Sequence, residues 1–179
     1  MKKVKILDKE FSLSIPAETI LAAVKKIATE INNDYNGQSP MFLGVLNGVF
    51  MFASDFMKEI TLETQITFIK MASYSGTKST GTVNELIGLS DSVEGKPLII
   101  IEDIIDTGNT IEKLMEILPT YKPSEIKIAT LLYKPEAYKK NIKIDYIGLE
   151  IPNDFIVGYG LDYDGYGRNL PDIYTLIPE

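Results

Sequence analysis

The chain has no cysteine and no histidine. Their absence removes disulfides, thiolate or imidazole zinc sites, a cysteine nucleophile and a histidine general base, so acid–base work falls to Asp, Glu, Lys or Tyr. Positive charge is also short. Eighteen Lys and Arg stand against 25 Asp and Glu, a formal net charge of -7, whereas a general nucleic-acid binder needs a basic footprint. Nucleotides stay open, because backbone N–H groups and Mg2+ can carry phosphate without surplus cations. No stretch approaches the ~18 apolar residues of a membrane span, and Met1 to Glu10 has lysines but no apolar signal run. A soluble cytoplasmic protein, away from membranes and nucleic acid, is the expectation. At 179 residues and 45% hydrophobic, the chain has the size and composition of one domain with a sizeable core.

What is present concentrates between Leu98 and Thr110, Leu-Ile-Ile-Ile-Glu-Asp-Ile-Ile-Asp-Thr-Gly-Asn-Thr. Four consecutive apolar residues, three of them β-branched, suit a strand covered on both faces, whose carboxyl end opens into the crevice of a parallel sheet. Three carboxylates, Glu102, Asp103 and Asp106, are expected directly after that strand. Thr107, Gly108, Asn109 and Thr110 then bring hydroxyls and backbone N–H groups to a helix N-terminus, a place that favours an anion such as phosphate. A solvated acidic loop is the plain alternative. The buried run before the acids and the Thr-Gly-x-Thr turn after them argue against it.

Along the rest of the chain, Lys3 to Leu7 and Phe11 to Leu13 predict short strands about an Asp8-Lys9 turn. Ile20, Val24, Ile27 and Ile31 give a helix one apolar face, with Pro16 in its first turn. Met41 to Leu46 predicts a buried strand, followed by Asn47-Gly48 and a helical segment Val49 to Met57. Thr64 to Lys70 predicts another strand, Met71 to Thr82 a mobile polar loop, and Val83 to Leu89 a partner strand. Ile111, Leu114, Met115 and Leu118 mark a helix face that stops at Pro119, and Ile126 to Leu132 predicts the next strand. The remainder, Tyr146 to Glu179, is rich in Gly, Tyr and Asp and predicts short strands and loops. Repeated strand–helix alternation gives an α/β domain over 1–179, with a loop-rich hood from the N-terminal strands and roughly 146–179.

Two competing motifs fail. Asp162-x-Asp164 with Gly167 imitates the start of a calcium loop, but the fifth position is Tyr166 and the twelfth is Ile173 rather than Glu. Gly76 to Thr80 imitates the end of a phosphate-binding P-loop, yet no Gly directly precedes Lys78.

The run Ile101 to Thr110 resembles the phosphoribosyl diphosphate (PRPP) motif of type I phosphoribosyltransferases, and further segments resemble that family's hypoxanthine-guanine branch. Leu46-Asn47-Gly48 matches its pyrophosphate loop, Ser73-Tyr74 the tip of its closing loop, and Leu132-Tyr133-Lys134 its purine-reading lysine. Asp154 to Tyr159 and Leu161-Asp162-Tyr163 match its base-stacking and metal-binding hood. The resemblance implies the type I phosphoribosyltransferase fold, a mainly parallel sheet flanked by helices with a small hood. It also implies separate jobs: Glu102 and Asp103 on the ribose hydroxyls with Mg2+ close by, Asp106 as general base or acid beside the purine, and Thr107 to Thr110 around the 5′-phosphate. Lys134 would donate to the purine O6, favouring 6-oxopurines over adenine, whose amino group is itself a donor. Phe155 would stack on the base with Ile156 beside it. Asp162 would bind a second Mg2+, Arg168 would neutralise the departing charge, and Leu46, Asn47, Gly48, Ser73 and Tyr74 would help bind the pyrophosphate. In the family the peptide between the positions of Leu46 and Asn47 is often cis.

The implied reaction is purine salvage, hypoxanthine (and guanine) plus PRPP giving the nucleoside monophosphate and pyrophosphate. Two alternatives remain at this level: a xanthine- or uracil-preferring relative, and an RNA-binding regulator on the same fold. A homodimer or homotetramer is implied as well. Asn47 and Asn109 depart from the family, where many and several relatives respectively carry Lys, so positive charge near phosphate is reduced.

Overall fold

The computed structural model describes residues 2–71, 85–87, 89 and 92–178. Its chain opens on a hairpin, β1 (Lys3–Ile6) and β2 (Lys9–Ile15). Ile6 pairs with Lys9, so the turn is Leu7-Asp8, with Leu7 at φ 53°, one residue earlier than expected. Helix α1 (Ala17–Asp34) buries Ile20, Val24, Ile27 and Ile31 as their spacing predicts. Pro16 precedes it and offers no side-chain cap. The Asp172 carboxylate does that job from the far end of the chain, accepting from the Ala17 N–H at 2.9 Å, where an anion also complements the helix dipole.

β3 (Met41–Leu46), α2 (Phe50–Glu59) and β4 (Gln65–Met71) follow, then β5 (Glu85–Ile87), which runs antiparallel to β4. β6 (Pro97–Ile105) leads through a turn into α3 (Asn109–Ile117), and a 3-10 turn, Leu118–Tyr121, carries the chain through Pro119. β7 (Glu125–Tyr133) and β8 (Tyr146–Glu150) complete a sheet of order β5-β4-β3-β6-β7-β8, parallel from β4 to β8. The short strands β9 (Ile156–Val157) and β10 (Ile173–Leu176) join the hairpin in a separate antiparallel sheet of order β1-β2-β10-β9.

β6 shows why the parallel sheet is stable. Ile99 and Ile101 face α1 and α2, packing with Ile27, Phe52 and Phe56, while Leu98 and Ile100 face α3 and its Ile111 and Leu114. Each such fully buried side chain contributes roughly 1.5–3 kcal/mol. The hood has its own small core of Ile6, Phe11, Val157 and Tyr174.

Two expectations shift. The hood begins after residue 150 rather than at 146, because β8 pairs in parallel with β7 and buries Tyr146 against α1. The crossover 134–145 contains no helix, so nothing in its pattern announces a parallel strand beyond it. The expected loop 71–82 falls largely outside the described residues; Met71 itself ends β4, and the described part of Val83 to Leu89 includes β5.

Candidate functional site

β6 is longer than its apolar run. It extends through Ile105, so Glu102 and Asp103 lie inside the strand and are buried, at 5% and 8% exposure, rather than on a loop after it. Pairing with β3 runs from Leu98 to Ile101, whereas pairing with β7 continues to Ile105. The crevice opens where those two registers part. Asp106, Thr107 and Gly108 form the turn, and Gly108 adopts φ 84°, the left-handed conformation that glycine takes at little cost, as N-cap of α3. Residues 102 and 104 to 111 line one small hollow at that helix start. Thr107, Gly108, Asn109 and Thr110, the residues expected to form an anion cradle, all line that hollow.

Burial pushes the Asp103 carboxyl up to about 6, with Asp162 adding to the rise, while the backbone N–H groups of Ile104 and Asp103 and the Arg168 charge oppose it. Glu102 is pushed up as well, first by burial and then by its neighbour Asp103. Among the described residues neither forms an ion pair. Two adjacent desolvated carboxylates are oxygen donors suited to a hard divalent cation. Asp162, expected to serve a second, separate cation, does not join them, and among the described residues no three acids converge on one point.

Asp162 belongs to the hood, where Arg168 holds it at 2.7 Å and the Gly165 N–H donates to it. Arg168 also donates to the Gly160 carbonyl at 2.7 Å. Leu46–Asn47 is a cis peptide, and Gly48 follows with no room for a side chain, its α-carbon facing the Asp103 carboxylate. On its other side the Gly48 carbonyl abuts Gly160, which sits at φ 98° between Tyr159 and Leu161. Gly48 and Gly160 thus bring the Asn47 turn, the buried acids and the Asp162–Arg168 pair into one assembly. Sequence reasoning missed Gly160, whose role comes from its contact with the distant Gly48 carbonyl.

Gly160→Ala is expected to destabilise the fold by about 2–3 kcal/mol, from a left-handed alanine and a collision with the Gly48 carbonyl. Urea unfolding checks this. An unchanged midpoint would mean that the hood shifts freely relative to the Asn47 turn.

The other end of the crevice carries Lys134. Its backbone N–H donates to Ile105, which fixes it beside the β6 turn, and its ammonium, 8% exposed, donates to the Asp106 carboxylate at 3.0 Å. Asp106 is half-exposed. An acid and a buried ammonium expected from separate segments are thus in contact. Phe155 is 47% exposed, unusual for a large aromatic, with its ring against Phe11 and edge-on to Tyr163. Ile156 packs into the main core from β9. Ser73 and Tyr74 lie outside the described residues.

Among the described residues no helix is long and apolar enough to cross a membrane. The family model for the phosphoribosyl transferase domain matches residues 16–164. A hypoxanthine-guanine phosphoribosyltransferase from Staphylococcus aureus is 42% identical over 163 residues, covering 90% of this chain and 91% of that protein. Another of the same name, from Lactococcus lactis, is 40% identical over 177 residues, covering 98% and 96%. Among solved structures, a hypoxanthine-guanine phosphoribosyltransferase from Bacillus anthracis superposes with a TM-score of 0.87 at 38% identity, over 93% of this chain and 98% of that one.

Proposed function

The chain belongs to the phosphoribosyltransferase family, and from that premise we propose that it transfers the 5-phosphoribosyl group of PRPP to hypoxanthine and guanine, releasing pyrophosphate. The observation that carries the reading is the Lys134–Asp106 pair, a buried ammonium and a half-exposed carboxylate set beside the anion cradle. In this reading the ammonium donates to the purine O6, and Asp106 takes or returns the proton of the attacking imidazole ring. Phe155 offers its open face to the base, with Ile156 next to it. Thr107, Gly108, Asn109 and Thr110 hold the 5′-phosphate, largely through backbone donors.

Departure of pyrophosphate leaves positive charge on the ribose. Glu102 and Asp103, anchored in β6, hold the ribose hydroxyls and stabilise that charge. Arg168 and the backbone of Leu46, Asn47 and Gly48 receive the pyrophosphate, and Ser73 and Tyr74 close over it in the same reading, excluding water from the reactive sugar. The family calls for a divalent cation, and the carboxylates Glu102, Asp103 and Asp162 suit one; Mg2+, when bound, would screen the phosphate oxygens. Cytoplasmic location and a homodimer or homotetramer complete the reading by resemblance to the family.

One parallel assay tests it. Pyrophosphate release from PRPP and Mg2+ is measured with hypoxanthine, guanine, xanthine, adenine and uracil. Turnover with the 6-oxopurines and at least a hundredfold less with adenine is expected, since adenine would place a donor against the Lys134 donor and leave both unpaired. No turnover with any purine would refute the proposal.

A further inference from the structure

Three cations around the crevice are each held by a carboxylate: Lys134 by Asp106, Arg168 by Asp162, and Lys140 by Glu112. The third pair has no part in the chemistry above. Lys140 comes from the β7–β8 crossover and reaches over the start of α3, where its ammonium donates to Glu112 at 2.6 Å. Its side chain is four-fifths buried. Its aliphatic stem and the Tyr138 ring lie directly on the α-carbon of Gly108, leaving no space for a β-carbon there. Tyr138 is itself fixed, edge-on to Tyr133 and donating to the Ile142 carbonyl at 2.6 Å.

Glu112 stands one helical turn behind the cradle, and its N–H donates to the Gly108 carbonyl. Unpaired, it would set a negative charge beside the place where a phosphate dianion binds, weakening the attraction of the helix terminus. Position 109, at the start of the same helix, carries Asn, so it supplies no compensating charge. Resting on the reading of Thr107 to Thr110 as the 5′-phosphate cradle, we propose that Lys140 is a positioning residue for PRPP. It cancels Glu112 and clamps Gly108 in its left-handed turn. The crossover thereby serves both ends of the nucleotide, Lys134 at its head for the base and Lys140 further on for the phosphate.

The test separates charge from packing. Lys140→Met keeps much of the stem and should raise the KM for PRPP roughly five- to tenfold, the scale of a charge at a partly buried helix end. Its kcat and the KM for hypoxanthine should stay within about twofold. Glu112→Gln alone should not raise the KM for PRPP, and the double variant Lys140→Met/Glu112→Gln should recover most of the loss. A Lys140→Met enzyme with unchanged KM for PRPP overturns the proposal. So does a double variant as impaired as the single one, since clamping without charge balance would then explain the effect. Thr110→Ala, measured alongside, guards the underlying reading. If it leaves the KM for PRPP unchanged, the cradle assignment fails and the proposal falls with it; if it raises that KM while Lys140→Met does not, only the role of Lys140 is refuted.

Discussion

Asp106→Asn is expected to slow single-turnover nucleotide formation by roughly two to four decades, the usual worth of general acid–base help. An amide is nearly isosteric with the carboxylate, so the turn between β6 and α3 keeps its shape. The amide oxygen can still accept from Lys134 across the 3.0 Å separation seen now. What it cannot do is hold the purine proton. PRPP affinity should change less than about threefold, because its proposed contacts come from Glu102, Asp103 and the cradle, and an interaction made only in the transition state affects rate rather than binding. Rapid-quench single turnovers with isothermal titration of PRPP separate the two quantities. Equal loss in both would move Asp106 from the base to the sugar.

Asp103→Asn should raise stability. The Asp103 carboxyl is held up at about 6 by burial, against about 4 in an unfolded chain. Between those values the folded protein binds more protons than the unfolded one, so stability falls as pH rises through the window. Above pH 6 the folded state carries a desolvated anion at a cost of roughly 3 kcal/mol, two units at about 1.4 kcal/mol each. Asn removes that charge. In the absence of substrate and divalent cation, Asp103→Asn should raise the melting temperature by roughly 5–10 °C at pH 8 for a domain of this size, and by little at pH 4. PRPP binding should be lost at the same time, a trade of stability for function. Melting curves of both proteins at pH 4, 6 and 8 check the sign. A destabilised variant at every pH would make Asp103 a structural brace, with Gly48 packed against it for support.

The sequence was readable wherever one face or both faces of an element are apolar. Ile20, Val24, Ile27 and Ile31 announced α1, and the unbroken run Met41 to Leu46 announced β3 to the residue. The start of α3 was legible too, since a glycine among hydroxyl residues just after a buried strand marks the turn into a helix. The acids were misplaced by a physical cause. Glu102 and Asp103 are hydrophilic, and composition assigns them to a loop, while the ladder with β7 continues under them to Ile105. β8 was hidden for the complementary reason, its Tyr146 and Gly148 lying in a stretch dominated by turn formers. Lys140 and Gly160 depend on contacts between segments far apart in the chain, which no local pattern encodes.

The Asp172 bridge has a further consequence for the order of folding. The hood sheet pairs β2 with β10, joining Leu13 to Tyr174 and Phe11 to Leu176, while Asp172 binds both the Lys2 ammonium and the Ala17 N–H. The main sheet, by contrast, is complete in sequence once β8 has been made. On a ribosome the parallel core can therefore assemble while the hairpin β1–β2 waits without its partner. Closing that long loop is the late and entropically demanding step. The residues that complete the crevice from above arrive with it, so a nascent chain gains its core well before it gains a finished site.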